Sequence, residues 1–318
     1  MKQYSFNVNG QSAVGKLTWN ANGTLQQLAI TDPFNSQDNQ TCTYTYDALA
    51  RVSGDNCGSA WAQTFSYDAF GNISKSGSIS WLPTYNSPVN NKYLTGWNGV
   101  SYDANGDLLN DTFNTYTWDA YGGLASVNGA TVTNDAFGRM VENQSRGIEL
   151  VYSPADGSVL AAMQGQALNT AFVPLPGGTT AGYGIAGDFN YFYPDWLGSV
   201  RLLSGETRIA FPIMAYAPFG EGYAGGTPNN GNFTAYGFPF TVFDSENDTG
   251  TLEDFMFRRY SPVQGRWISP DPAGLGAANP ANPQSWNRYG GWPTFASTRL
   301  RLPHPSWFRR VGATYLAA

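Results

Sequence analysis

The chain has 318 residues, 42% hydrophobic and 15% aromatic, with 37 glycines and 19 prolines but only 13% charged residues, a composition that suits short strands and many turns rather than long amphipathic helices. The net charge of −6 offers no basic face to a phosphate backbone, so nucleic acid is excluded as the main partner. The one histidine, His304, lies in the tail, which excludes nearly every Ser-His-Asp triad or histidine metal site, so any chemistry falls to carboxylates and no cofactor is implied.

The start, MKQYSFNVNG, has no apolar core of a signal peptide, and no run of about 18 apolar residues occurs, so neither a signal peptide nor a membrane span is expected in this chain. From there one unit recurs: TWNANGTLQQL (18–28), YTYDALARVSG (44–54), FSYDAFGNISKSG (65–77), VSYDANGDLLN (100–110), YTWDAYGGLASV (116–127) and VTNDAFGRMVEN (132–143). Each is an alternating run, an aromatic-Asp pair or a relative of it, a short break with Gly or Ala, and a second alternating run, which predicts strand, tight turn and strand. The Asp accepts hydrogen bonds from backbone N–H groups ahead of it, and the Gly tolerates positive φ. A lone hairpin is marginal, so the copies are expected to stack side by side and bury their faces.

The two cysteines, Cys42 and Cys57, flank the second unit. Counted outward from a turn between Leu49 and Ala50 they fall opposite one another, which leaves two readings, a cross-strand disulfide or two buried thiols. DANGDLLND (103–111) sets Asp103, Asn105, Asp107 and Asp111 at the odd spacing of a calcium loop, against the plain turn that the flanking strands favour. Farther on, residues 172–187 are rich in Gly, Pro and Thr and mark a connector. GYGIAG (182–187) matches a dinucleotide fingerprint on paper, but no helix can follow it, and it is read as part of that connector.

These units resemble the YD repeats of the rearrangement-hotspot (Rhs) family. Residues 191–290 resemble its repeat-associated core domain, through YPDWLGSVRLL (193–203), YAPFGE (216–221), FTVFDSENDTGTLEDFMFRRYSPVQGRWISPDPAG (240–274) and NPQSWNRYG (282–290). The resemblance implies an all-β fold in which stacked β-hairpin YD repeats form part of a spiral β-sheet shell. Residues 1–171 are the repeat segment, 172–190 the connector, 191–290 the core domain and 291–318 a non-family tail. The residues expected to carry this scaffold are Tyr46, Asp47, Tyr67, Asp68, Gly71, Tyr102, Asp103, Trp118 and Asp119 in the repeats, and Asp195, Gly198, Arg201, Gly265 and Arg266 in the core domain.

Family members include bacterial polymorphic toxins, the C components of insecticidal toxin complexes, and teneurins, so the implied parent is secreted or at the cell surface and encloses a toxin segment that follows the core domain. Toxin-type members cut themselves with two aspartates in DPxG motifs about two dozen residues apart, one taking a proton while the other donates one. Here DPAG supplies Asp271, but the second motif, expected near residue 295, is absent. Residues 291–318 carry four arginines, the histidine and no carboxylate, against a net charge of −10 for residues 1–290, as a frameshift would produce. Asp271 is thus the residual half of a self-cleavage pair, or, without its partner, an Asp-Pro turn after the strand GRWIS, and no enzymatic activity is expected. Arg258, Arg259 and Arg266 read as strand arginines. Two other classes stay open: a surface protein binding carbohydrate or cells through exposed aromatics, and an active self-cleaving core. Open sheet edges predict self-association.

Overall fold

In the computed structural model of the chain, the described residues are 1–36, 39–85, 91–93, 99–145, 147–155, 157–176, 179–184, 187–197, 199–212, 215–223, 241–243, 252–255, 257–279 and 283–290. Gly198, His304 and the whole 291–318 tail lie outside them. Among the described residues the regular structure is strand throughout, apart from short 3-10 turns at Gly274–Ala277 and Pro283–Trp286.

Seven strands, from Gln3–Val8 to Ile73–Gly77, form one sheet in which each pairs antiparallel with the next in the chain. Eleven more, from Tyr116–Trp118 to Ala210–Pro212, form a second meander of the same kind. Between them lies a hairpin of Ser101–Tyr102 and Leu108–Asn110. Alternation sets the faces: Gln11–Trp19 buries Ala13, Gly15 and Leu17, and Ala62–Tyr67 buries Gln63 and Phe65. The ladders shift register at the residue that enters most of the turns, as at Trp19, Tyr46, Trp118, Asn134 and Tyr152, though not at Tyr67, so these turns close on a bulge that adds twist.

The first residue leaving each turn is the core residue of its repeat. Leu25, Val52 and Ile73 pack in one apolar cluster under the first sheet, and Leu108, Leu124 and Met140 in another under the second. The sheets meet where Phe6 packs on Tyr193, with centroids 5.7 Å apart, and Trp19 on Trp196 at 5.4 Å.

Residues 172–190 differ from the expected connector. Strands Ala167–Pro174, Thr180–Gly184 and Phe189–Pro194 carry the second sheet across them without a break. The glycines do local work there: a Cβ on Gly182 would stand 2.8 Å from the Phe192 ring, and Gly187, at φ +81, closes a turn in which the Gly184 N–H donates to Asp188 O at 2.9 Å. Gly182–Gly184 of GYGIAG therefore end a strand. Beyond the second sheet, the hairpin Ala215–Tyr216/Gly222–Tyr223 and the four-stranded sheet of Thr241–Phe243, Glu253–Phe255, Arg259–Ser261 and Arg266–Trp267 complete the core segment.

Candidate functional site: the seam between the hairpin sheets and the core segment

One turn is built repeatedly. Asp47 Oδ1 accepts from the N–H groups of Leu49 and Arg51, both at 2.9 Å, and Oδ2 from Arg51 Nε at 2.6 Å. Asp68 does the same with Phe70 and Asn72, Asp119 with Tyr121 and Gly123, Asp135 with Phe137 and Arg139, and Asp195 with Leu197 and Ser199. Each carboxylate thus satisfies N–H groups that the tight turn would leave bare. Three residues after the Asp the backbone takes positive φ, at Gly71, Gly122 and Gly138, and at Ala50 in the second unit. The core-segment hairpin YAPFGE closes through the same backbone bonds, Ala217 N–H to Glu221 O at 2.8 Å and Gly220 N–H to Ala217 O at 2.9 Å, with Ala217 where a repeat has Asp.

The aromatic before the turn residue, Asp in most units and Ser153 after Tyr152, ties several repeats to an earlier one. The hydroxyls of Tyr46, Tyr67 and Tyr152 donate to the carbonyls of Leu25, Val52 and Met140, each at 2.7 Å, and Trp118 Nε1 to Leu108 O at 2.8 Å. Tyr102 instead stands edge-on to Tyr93 and Tyr289. Arg201 is held among Tyr4, Asp195, Tyr216 and Tyr223.

The core segment locks onto both sheets and the hairpin between them. Arg266 is buried, donates to Asn91 O at 2.8 Å, and faces the rings of Tyr85, Tyr93 and Tyr289, the last with its centroid 4.6 Å away, an aromatic cage that replaces water around the guanidinium. Gly265, at φ +63, is required twice over, because a Cβ there would meet Lys75 Cε at 3.0 Å. Asn287 Nδ2 donates to Asn72 Oδ1, Tyr289 OH to Gly106 O, and Tyr260 OH to Phe219 O.

Asp271 sits in a turn of its own. Oδ1 accepts from Ala273 N–H at 2.9 Å, the Gly274 N–H closes on its carbonyl, and Arg288 O receives its N–H. Arg258 Nη2 stands 3.5 Å from Oδ2 and its guanidinium lies 4.1 Å over the Trp267 ring. Burial pushes Arg258 down to about 10, with Asp271 acting in the opposite sense. Among the described residues no second carboxylate is hydrogen-bonded to Asp271, and in the sequence none follows it. Arg259 and Arg266 point their bonds elsewhere.

Cys42 and Cys57 are joined in a disulfide, and the Tyr223 hydroxyl donates toward both sulfurs, at 3.2 and 3.1 Å. The calcium-loop alternative dissolves into local turns. Asp103 Oδ1 accepts from the N–H groups of Gly106 and Asp107, and Asp111 from those of Phe113 and Asn114 and from the Tyr116 hydroxyl. Asp107 is buried, which together with the Asp103 charge raises its pKa to about 6.

Sequence reasoning missed Lys75, Asp55 and Glu221, which are buried together beneath the first sheet. The signal was present: in NISKSG, Lys75 shares the inward face with Ile73, where period-two alternation calls for an apolar residue.

No family model matches the chain, and no curated protein matches it in sequence. Its fold does match solved structures. A crystal structure of TcdB2-TccC3 without the hypervariable C-terminal region superposes with a TM-score of 0.65 at 15% identity, covering 91% of this chain and 17% of that one. TcdB2-TccC3-TEV gives 0.62 at 16% identity, covering 88% and 17%, and TcdB2-TccC3-Cdc42 gives 0.58 at 17%, covering 88% and 16%. The chain is therefore similar in fold to a stretch spanning about a sixth of those much longer chains.

Proposed function

We propose that the chain is wall and core of an Rhs-type shell whose parent encloses a C-terminal toxin and delivers it, outside the producing cell, in bacterial competition. The observation that carries this reading is the two antiparallel meanders of Asp-turn hairpins, with the hairpin between them and a core segment bonded to them, in a chain whose fold matches TcdB2-TccC3 over 91% of its length. Similarity of fold alone does not carry function; the bonded core segment adds the reason, since it closes the inner face of a sheet that would otherwise stay open. The test is limited proteolysis of a parent protein in which this segment is followed by its downstream sequence. That downstream sequence is expected to resist cleavage until the shell is unfolded, and cleavage at the rate of the free segment would overturn the reading.

On the same reading the chain is not an enzyme: Asp271 serves its turn. No cleavage product is expected by mass after incubation at neutral and mildly acidic pH, in the wild type as in Asp271→Asn. A defined cut near residue 290 in the wild type alone would establish self-cleavage instead. A second reading, carbohydrate binding, is favoured by one groove of about 690 Å3 lined by Phe189, Tyr191, Tyr193, Glu206 and Arg208, where rings and polar groups face the same space. It predicts glycan-array binding that Tyr191→Ala abolishes.

A further inference from the structure

Lys75, on the strand Ile73–Gly77, is fully buried, with relative exposure 0%. Its Nζ contacts Glu221 Oε1 at 2.5 Å and Pro262 O at 2.5 Å and lies 4.6 Å from the centroid of the Phe219 ring. Glu221 is itself buried, and its second oxygen, Oε2, has no hydrogen-bond partner. Asp55, two strands from Lys75 in the same sheet, is buried, with the Trp61 side chain as its hydrogen-bonding neighbour and with Glu221 and Lys75 acting on it electrostatically. Two carboxylates and one amine thus share an apolar, aromatic compartment closed by Phe65, Phe219 and Trp61. As ions they would leave a net negative charge and the unpartnered Glu221 Oε2 out of water, which is costly for an ion pair of any geometry.

We propose that Lys75 and Glu221 are joined by an amide between Nζ and Cδ, formed by the folded chain itself with Asp55 as the proton-transfer group. Desolvation favours the reactive forms: it lowers the Lys75 pKa, and it raises that of Asp55 to about 7, with the Glu221 charge adding to the rise. Within the pair the proton moves from Nζ to the Glu221 carboxylate, leaving a free amine and a neutral acid. The amine nitrogen attacks Cδ and the N–C bond forms. Neutral Asp55 gives its proton to the departing hydroxyl, the C–O bond breaks and water leaves. The proton shed by the nitrogen returns to Asp55. The sum is one ammonium and one carboxylate converted to one amide and one water, with no oxidant, reductant or co-reactant. The remaining amide N–H keeps Pro262 O as its acceptor, and two buried charges are removed. Holding the reacting atoms in contact supplies the encounter that makes such a condensation feasible, and the acid near neutrality supplies the proton transfer.

The experiment is the intact mass of the reduced, denatured, full-length wild-type chain. It is expected to be one water lighter than the sequence. After trypsin, the peptide Val52–Lys92, uncut at Lys75, is expected to be attached to Ile209–Arg258. A wild-type chain at full sequence mass, with free Val52–Lys75, overturns the proposal without any variant. Lys75→Met, which keeps the length and loses the amine, is expected at full mass; a water loss persisting in it would place the bond elsewhere and overturn the assignment. Asp55→Asn with native circular dichroism is expected at full mass, and Asp55→Glu to restore the linked peptide. A folded Asp55→Asn chain that is still one water lighter overturns the role of Asp55.

Discussion

Ala50 occupies, at φ +60, the position that glycine holds in the sister turns at residues 71, 122 and 138. A Cβ in the left-handed region costs about 1 kcal/mol, part of which glycine returns through the freer unfolded chain. Ala50→Gly is therefore expected to stabilise the fold by about 0.5 kcal/mol in urea denaturation, against the usual direction of such a change. The buried carboxyls give a pH dependence. Burial first, and neighbouring charge second, raise Asp55 to about 7 and Asp107 to about 6, well above the usual carboxylate range. The native state therefore holds protons that the unfolded state has released. Their stabilisation is complete below about pH 4 and is lost as pH rises through 6 and 7. The chain is expected to melt at a higher temperature at pH 5 than at pH 8, and Asp55→Asn to flatten the slope; because desolvation is the larger cause, the sign does not depend on the state of Glu221. At this scale the sequence was half legible. Asp47 and Asp68 announce their turns through the Gly or Ala three places on, whereas nothing near Lys75 or Asp55 shows that a segment more than 140 residues away, with Glu221, covers them.

Hairpins were legible because their information is local: alternation, Asp and Gly all lie within a dozen residues, and the antiparallel meander adds no crossover. The tie between hairpins is less visible, since nothing near Tyr67 says that its hydroxyl ends on Val52 O. Removing that bond while keeping the ring, Tyr67→Phe, leaves a carbonyl without its donor and is expected to cost about 1 kcal/mol, read as a lower urea midpoint with unchanged slope. The disulfide closes a loop of sequence separation 15, for which the chain-entropy model gives about 3 kcal/mol. Reduction under native conditions is expected to lower the melting temperature, and Cys42→Ser with Cys57→Ser to match the reduced wild type. The connector misled because Gly, Pro and Thr mark loops on average, whereas here Gly182 makes room for the Phe192 ring inside a ladder.

For the whole molecule, the all-β meander followed from composition and repeats, but the path of the core segment did not. Contacts such as Asn287 with Asn72 and Arg266 with Asn91 join residues far apart in the chain, and neither partner differs in sequence from an ordinary surface polar group. The strand Gln3–Val8 has one pairing partner among the described residues, Gln11–Trp19, so its outer edge offers bare N–H and C=O groups. The isolated chain is expected to self-associate with rising concentration on sizing, and a concentration-independent monomer would count against an open edge. The aromatic ties have one direction: Tyr46, Tyr67, Tyr85, Trp118 and Tyr152 all reach toward the N-terminus, to acceptors 21, 15, 12, 10 and 12 residues earlier. A ribosome therefore delivers every donor after its acceptor, and a nascent chain can zip up hairpin by hairpin as it emerges, with the core segment, synthesised last, arriving on a wall already standing.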